Sequence, residues 1–224
     1  MTTLWMAPYT CARVTAIALE EAGVEFDTRL VRFMRGEHKS PDFLARNPLG
    51  KVPALEIDGK VLTESVAIVT YLAERFPHAR LLPRADNPVA RAHVLADLCF
   101  CSSTLHPLVT RIRMPMFFAG AENALAVKQT AESAMDAYFQ IVEERLSVGQ
   151  WWYGSEWSAM DGYLYWVFWR VEGAGYDVKR FPRFAAHARA MEQRPAVQRA
   201  LAREEAAQAQ LEAEGLAFVP PKIG

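Results

Sequence analysis

The length, composition and charge of the chain favour a globular protein with two unequal domains. Its 224 residues exceed the roughly 100 to 200 of most single domains, and 51% of them are hydrophobic, which excludes a disordered chain. Lys and Arg number 25 against 26 Asp and Glu, so a net charge of −1 gives no field for nucleic acid or an anionic membrane. The longest uncharged run, from Leu98 to Thr110, is shorter than the roughly 20 residues that cross a bilayer.

The cysteines and the start of the chain bear on location and metal binding. Cys11, Cys99 and Cys101 are odd in number and form no C-x-x-C pair, so neither a disulfide framework nor a zinc site is predicted. The first residues contain no basic leader followed by a long apolar stretch. We therefore expect a cytoplasmic protein without a metal, in which any cysteine chemistry is that of a thiol.

The first 76 residues predict the element order βαβαββα, an α/β fold. Ser40 before Pro41 indicates a helix start, and Asp58-Gly59 indicates a hairpin turn. The spacing of apolar residues sets the other elements. In order, these are a strand over 4–6, a helix over 11–23, a strand over 26–33, a helix after 40, strands over 52–57 and 60–62, and a helix ending at 76.

The rest of the chain predicts an all-helical domain. Pro77 to Pro88 has the composition of a linker, so we place one domain over 1–78 and the other over 88–224. Ser158 and Asp161 form a capping-box pattern before a nearly all-apolar helix, which should be the core of this domain. The predicted helices cover 89–113, 122–146, 162–169, 182–191 and 195–212, the last of them mostly exposed and followed by a loop over 216–224.

Cys11 is the first candidate for chemistry, because it lies where the first strand turns into the first helix. A sulfur at that position faces the first N–H groups and the positive end of the helix dipole, which favours a thiolate. The alternative is that Cys11 is a small buried hydrophobic residue.

Two further pairs of residues suggest a peptide-like ligand. A cis Val52-Pro53 bond would leave the backbone of Val52 free to pair with an extended peptide, whereas an ordinary trans proline at a strand start is the alternative. Glu64 and Ser65 begin a helix, where Glu64 suits an ammonium and Ser65 suits a carboxylate. Plain helix capping is the alternative for this second pair.

In combination, these residues resemble the glutathione S-transferase family over nearly the whole chain. The resemblance depends on four segments: Pro8-Tyr9-Thr10-Cys11, Asn47 to Leu55, Leu62 to Ile68, and Ser158 to Asp161. It implies the glutathione transferase fold, in which a thioredoxin-like N-terminal domain precedes an all-α C-terminal domain. It also implies glutathione as co-substrate and a homodimer.

The bacterial beta class is the most similar class, and it implies a role for several residues. Cys11 and His106 would be catalytic, with His106 reaching the glutathione sulfur. Tyr9 and Thr10 are candidate hydroxyl donors to that sulfur. The residues that would bind glutathione are Thr10, Lys51, Val52, Pro53, Glu64 and Ser65.

The function that follows is conjugation of the glutathione thiolate to a small apolar electrophile, with Met114, Met116, Phe117 and Phe118 as candidate lining. Thr10 to Val14 also resembles the zeta class of glutathione-dependent isomerases. Thiol-disulfide exchange and a non-enzymatic binding or regulatory role are further alternatives. We interpret Cys99, Cys101 and the aromatic residues Trp151, Trp152, Tyr153 and Trp157 as packing residues rather than parts of a site.

Overall fold

A computed structural model describes residues 1–219 of the chain. The chain divides into two compact units, one formed by Met1–Leu81 with Arg194–Val219 and the other containing Leu82–Gln193. The last helix therefore groups with the N-terminal unit, although it is distant in sequence. The domain limits 1–78 and 88–224 stay proposals.

The sheet of the first unit has four strands in the order β2-β1-β3-β4. They are β1 (Thr3–Met6), β2 (Asp27–Leu30), β3 (Ala54–Ile57) and β4 (Lys60–Thr63). β1 pairs in parallel with β2 and antiparallel with β3, which pairs antiparallel with β4. A parallel pair needs a crossover and a hairpin only a turn, so the helix between β1 and β2 and the turn between β3 and β4 agree with the predicted order βαβαββα, which is confirmed.

Ten α-helices lie within the described residues 1–219. They are α1 (Ala12–Glu21), α2 (Pro41–Arg46), α3 (Ser65–Arg75), α4 (Pro88–Cys99), α5 (His106–Arg113), α6 (Met116–Ala119), α7 (Ala124–Arg145), α8 (Ala159–Glu172), α9 (Pro182–Glu192) and α10 (Pro195–Ala213). The predicted cap of α2 is confirmed, because the Ser40 hydroxyl accepts the Phe43 N–H over 3.2 Å. None of these helices is long and apolar enough to span a membrane.

The last helix is mostly exposed, as predicted, but one face of α10 is buried. This face packs along α1 and contains Ala196, Val197, Ala200, Glu204, Ala207 and Leu211, all buried. Small alanine side chains let two helices approach closely, so an alanine-rich composition is compatible with burial as well as with exposure. The predicted loop after 215 is seen for 216–219, and its remainder lies outside the described residues.

Helix α8 is the core of the second unit, as predicted. Its residues from Ala159 to Phe168 are all buried. Its start is the predicted capping box, in which the Ser158 N–H donates to the Asp161 carboxylate over 2.8 Å. Asp161 also accepts the Trp152 N–H over 2.7 Å and contacts His187 Nε2 at 2.9 Å. One carboxylate therefore holds together the start of α8, the loop before it and α9.

The helix predicted over 89–113 is interrupted by a π-helical segment, Phe100–Leu105, between α4 and α5. The His106 N–H bonds to the carbonyl of Cys101, five residues earlier. Pro107 follows directly and has no N–H to donate, so the regular i to i−4 ladder ends at this point. A π-helical turn accommodates such a gap, and such turns are frequent at functional sites.

Candidate active site

The candidate site of the first unit begins with the loop from Ala7 to Cys11, between β1 and α1. The Thr10 hydroxyl donates to the carbonyl of Ala7 over 2.7 Å and accepts the Ala12 N–H over 3.4 Å. The hydroxyl proton of Thr10 is therefore used to stabilise this turn. Tyr9 has a positive φ of 65°, unusual for a residue with a side chain, and its N–H donates to Glu204 on α10.

The Tyr9 phenol is the second hydroxyl that the sequence offered as a donor. Burial, followed by the negative charge of Glu204, raises the pKa of Tyr9 above its usual value. The phenol therefore keeps its proton at neutral pH and can serve as a donor.

Cys11 is at the start of α1, as predicted, and is only 9% exposed. Its Sγ donates to the carbonyl of Val52 over 3.6 Å, and the Ser65 side chain lowers the pKa of the same thiol. Burial raises the pKa of the Cys11 thiol to about 11, and the effect of the Ser65 side chain only partly offsets that increase. The predicted thiolate is therefore wrong for the protein without ligand, because the loss of hydration outweighs the interactions that favour the thiolate.

The start of α3 faces this sulfur. Ser65 is the first residue of α3 and is 6% exposed, whereas Glu64 before it is exposed and has a positive φ of 67°. The negative charge of Glu64 contributes to the raised pKa of the Cys11 thiol. A buried hydroxyl and an exposed carboxylate thus lie side by side at one helix start.

The loop before β3 completes the group. The Val52-Pro53 peptide bond is cis, which confirms that prediction. Asn47 is buried and fixes the loop by donating to the carbonyl of Lys51 over 2.7 Å and by accepting the Leu49 N–H over 3.1 Å. Lys51 itself is exposed. The loop therefore holds Val52 against Cys11 while its lysine stays at the surface.

Lys39 is a cation near this loop that the sequence did not single out. A Cβ atom on Gly50 would lie 2.9 Å from Lys39 Nζ and 2.7 Å from the carbonyl of His38, so only glycine fits there. Gly50 also has a positive φ of 64°. The Asn-Pro-Leu-Gly turn was visible in the sequence, but no local pattern linked it to Lys39.

His106, the second predicted catalytic residue, belongs to the other unit and is described there by itself. It is the first residue of α5, directly after the π-helical segment. Its Nδ1 is 3.0 Å from the Tyr163 hydroxyl, and its ring lies edge-on to Trp166 with 4.5 Å between ring centres. These contacts fix the orientation of the imidazole.

The remaining sequence candidates in the second unit are divided between surface and core. Phe117 is 71% exposed, and the Arg111 guanidinium lies 4.8 Å from the Phe118 ring centre. Trp151 and Trp152 are buried, as the packing interpretation predicted, and Tyr153 and Trp157 are half-buried. Cys101 is buried against Met160. Within residues 1–219, no group of side chains could hold a metal ion.

Comparison with known proteins identifies relatives along nearly the whole chain. Residues 1–74 match the family profile "Glutathione S-transferase, N-terminal domain". Glutathione S-transferase GstA of Escherichia coli O157:H7 is 30% identical over 203 residues, which cover 90% of this chain and 98% of GstA. Maleylacetoacetate isomerase maiA of Aspergillus fumigatus is 34% identical over 200 residues, which cover 85% of each chain.

Solved structures agree with these relatives. A sphingomonad glutathione S-transferase complexed with glutathione matches with a TM-score of 0.79 at 32% identity, over 91% of this chain and 98% of its own. The beta-class enzyme of Sphingomonas chungbukensis matches with a TM-score of 0.78 at 31% identity, over 90% and 98%. The identity to GstA over nearly its whole length and the match of the fold to these solved structures show that the chain belongs to the glutathione S-transferase family.

Proposed function

We propose that the protein binds glutathione beside Cys11 and joins the glutathione sulfur to small apolar electrophiles. The observation that supports this most directly is the hydrogen bond from the Cys11 sulfur to the carbonyl of Val52, together with the effect of the Ser65 side chain, which lowers the pKa of the same thiol. Three segments distant in sequence thereby offer a thiol, a backbone edge and a helix start in one place. The sphingomonad relative was crystallised with glutathione.

The charges of these segments match the ends of glutathione. The γ-glutamyl end carries an ammonium and a carboxylate, which suit the Glu64 carboxylate and the N-terminus of α3 with its Ser65 hydroxyl. The backbone of Val52, next to Pro53, pairs with the cysteinyl residue in this proposal. Lys51, with Lys39 beside the same loop, suits the carboxylate of the glycine end.

The chemical step needs the glutathione sulfur as a thiolate. The glutathione thiol loses its proton to solvent, and the sulfur then forms a bond to the electrophilic carbon as the leaving group departs with its electron pair. A Cys11 thiol with a pKa of about 11 remains protonated at neutral pH, so in this proposal its proton turns from the carbonyl of Val52 to donate a hydrogen bond to the new thiolate. Thr10 shapes the loop beside it. His106 as a second contact of the sulfur stays a prediction.

Isomerisation is the second candidate function. The Aspergillus fumigatus isomerase has the higher identity of the two curated relatives, and the sequence of this chain from Thr10 to Val14 resembles the zeta class. In an isomerase, glutathione is regenerated, whereas conjugation consumes one molecule per product. Thiol-disulfide exchange through Cys11 is less well supported, since the attacking species would be a thiolate and burial keeps this sulfur protonated.

The decisive experiment measures binding and then the fate of glutathione. Calorimetry with glutathione tests the site, and parallel assays then supply an activated aryl halide or a cis-unsaturated keto acid. Loss of one glutathione per product supports conjugation, and product formation with constant glutathione supports isomerisation. Absence of binding would leave only the binding or regulatory role. A homodimer, a cytoplasmic location and an electrophile pocket at Met114, Met116, Phe117 and Phe118 also stay predictions.

A further inference from the structure

A buried carboxylate on the last helix is bonded to both sides of Cys11. Glu204 of α10 is 2% exposed. Its Oε1 accepts the Tyr9 N–H over 2.7 Å, and its Oε2 accepts Arg13 Nε over 3.0 Å and Arg13 Nη2 over 2.5 Å. Tyr9 precedes Cys11 by two residues, and Arg13 follows it by two. The carboxylate therefore brackets the thiol-bearing turn.

Both oxygens of Glu204 are occupied by donors of fixed direction. The Arg13 guanidinium is planar and is itself 2% exposed, so the pair has little freedom to rotate. Because a buried charge that loses its partners is strongly disfavoured, the carboxylate stays where the donors hold it. The Tyr9 backbone, with its positive φ, is thereby tied to α10.

The contacts between α1 and α10 include a second, separate ionic group. Glu20, near the end of α1, accepts Arg199 Nε over 2.6 Å and Arg203 Nε over 2.7 Å. These bonds attach the two helices to each other but involve no residue of the Ala7 to Cys11 loop. A substitution of Glu20 therefore shows how much the attachment of α1 to α10 alone affects the reactivity of Cys11.

We propose that Glu204 is a positioning residue, which holds the loop so that the Cys11 sulfur faces Val52 and the ligand's sulfur. The proposal rests on the proposed glutathione function but adds a role for α10, which lies outside the N-terminal segment that carries the site. Glu204 acts through Tyr9 and Arg13 and touches no reacting atom in this assignment.

Two double variants isolate the bond to Tyr9. Arg13→Met with Glu204→Met removes the ion pair and the acceptor for Tyr9, and apolar replacement of a buried pair commonly preserves folding. Arg13→Met with Glu204→Gln also removes both charges but keeps an amide oxygen for the Tyr9 N–H. The single variant Glu20→Gln serves as the control for helix attachment.

The first measurement is alkylation of Cys11 by iodoacetamide, located by peptide mass spectrometry in folded protein without ligand. Below, Met/Met denotes Arg13→Met with Glu204→Met, and Met/Gln denotes Arg13→Met with Glu204→Gln. We expect Cys11 of the Met/Met variant to be alkylated about tenfold faster than Cys11 of the wild type, which is the change in rate that the loss of one buried hydrogen bond brings. The variant with Glu204→Gln should react more slowly than the one with Glu204→Met, because it keeps an acceptor for the Tyr9 N–H, and Glu20→Gln should react at the wild-type rate. Equal rates for the Met/Met and Met/Gln variants would overturn the proposal.

The second measurement uses glutathione itself. We expect the Met/Met variant to titrate its bound thiol at higher pH and to lose kcat about tenfold, while the KM for glutathione changes less than about twofold. The Met/Gln variant should restore the pH profile, and a purely structural role would leave that profile unchanged in both. If wild-type protein binds no glutathione, the proposed function fails, and the alkylation rates alone still decide the role of Glu204.

Discussion

The Cys11 sulfhydryl donates to the backbone carbonyl of Val52 across 3.6 Å, although the two residues are 41 positions apart in sequence. The contact joins the start of α1 to the loop before β3. It also keeps the sulfur away from water, and burial raises the pKa of this thiol to about 11. The same contact that assembles the site therefore makes Cys11 a hydrogen-bond donor rather than a nucleophile.

Alkylation without ligand should show this inertness. A pKa two units above the ordinary 9.0 lowers the thiolate fraction of Cys11 about a hundredfold at neutral pH, and burial slows access further. We expect iodoacetamide at pH 7 to modify the half-buried Cys99 before Cys11. The rate at Cys11 should increase about tenfold per pH unit up to about pH 11. Modification of Cys11 first at pH 7 would contradict this.

The pH dependence of stability provides a separate test of the same pKa. The unfolded thiol loses its proton near pH 9, whereas the folded one keeps it to about pH 11, so the native state binds more protons between these values. Stability from Cys11 is fully present below pH 9 and is lost as the pH rises through 11, by about 2 to 3 kcal/mol.

Cys11→Ala and Cys11→Ser both remove this titration. Their unfolding free energies, measured by urea denaturation from pH 7 to 11, should fall less than that of the wild type. The two variants differ in packing and hydrogen bonding but should share one pH slope. Parallel curves for all three proteins would show that the thiol titrates at its ordinary pKa.

Local sequence signals predicted the elements of the fold but not the burial of its charges. The caps at Ser40 and Ser158 were readable because their partners lie three residues away. Glu204 is buried because it packs against α1, where its partner Arg13 lies 191 residues away in sequence. No local pattern reveals such a partner, so the charge of Glu204 suggested an exposed helix. The pKa of Cys11 was mispredicted for the same reason, since the dipole of α1 is a local property and burial is a long-range one.

The interruption of the long helix was only partly readable. Pro107 has no N–H, so a break inside the predicted helix 89–113 can be inferred from the sequence, but the form of the break depends on which N–H groups reach the neighbouring carbonyls. In the structure the His106 N–H reaches the carbonyl of Cys101, which makes the preceding turns π-helical. Sequence spacing alone does not distinguish this arrangement from a simple kink.

Ser65 and Glu64 should determine glutathione affinity. Ser65→Ala and Glu64→Gln each remove one proposed charge-assisted contact with glutathione. We therefore expect each substitution to weaken glutathione binding, measured by calorimetry, roughly tenfold or more. Thr70→Val is the control, because the Thr70 hydroxyl on the same helix donates to the carbonyl of Val66 over 2.9 Å, within the helix itself. Wild-type affinity in both test variants would show that the γ-glutamyl end of glutathione does not bind at Glu64 and Ser65.

The predicted homodimer has a direct test in light scattering. The exposed apolar residues Val89 and Leu95 of α4 are suitable interface positions, because burying apolar surface favours association. We expect a mass about twice 25.2 kDa at micromolar concentration. Val89→Asp should lower that mass, whereas Val148→Asp, at an exposed position after α7, is the control. A wild-type mass of one chain would reject the dimer.

His106 is the remaining residue whose predicted role needs an experiment. If it assists the glutathione sulfur, His106→Gln should lower kcat at pH 7 about tenfold to a hundredfold and shift the pH–rate profile upward, as the bound thiol becomes less acidic. Tyr163→Phe tests the support of the ring, since it removes only the hydroxyl 3.0 Å from Nδ1. We expect it to produce a smaller shift in the same direction.

His93→Gln, at an exposed histidine of α4, is the control for loss of an imidazole. Because substitution of a half-buried ring can also disturb packing, the thermal midpoints of all three variants are compared first. An unchanged profile in a stably folded His106→Gln variant would leave the chemistry to Cys11 and the helix start beside it.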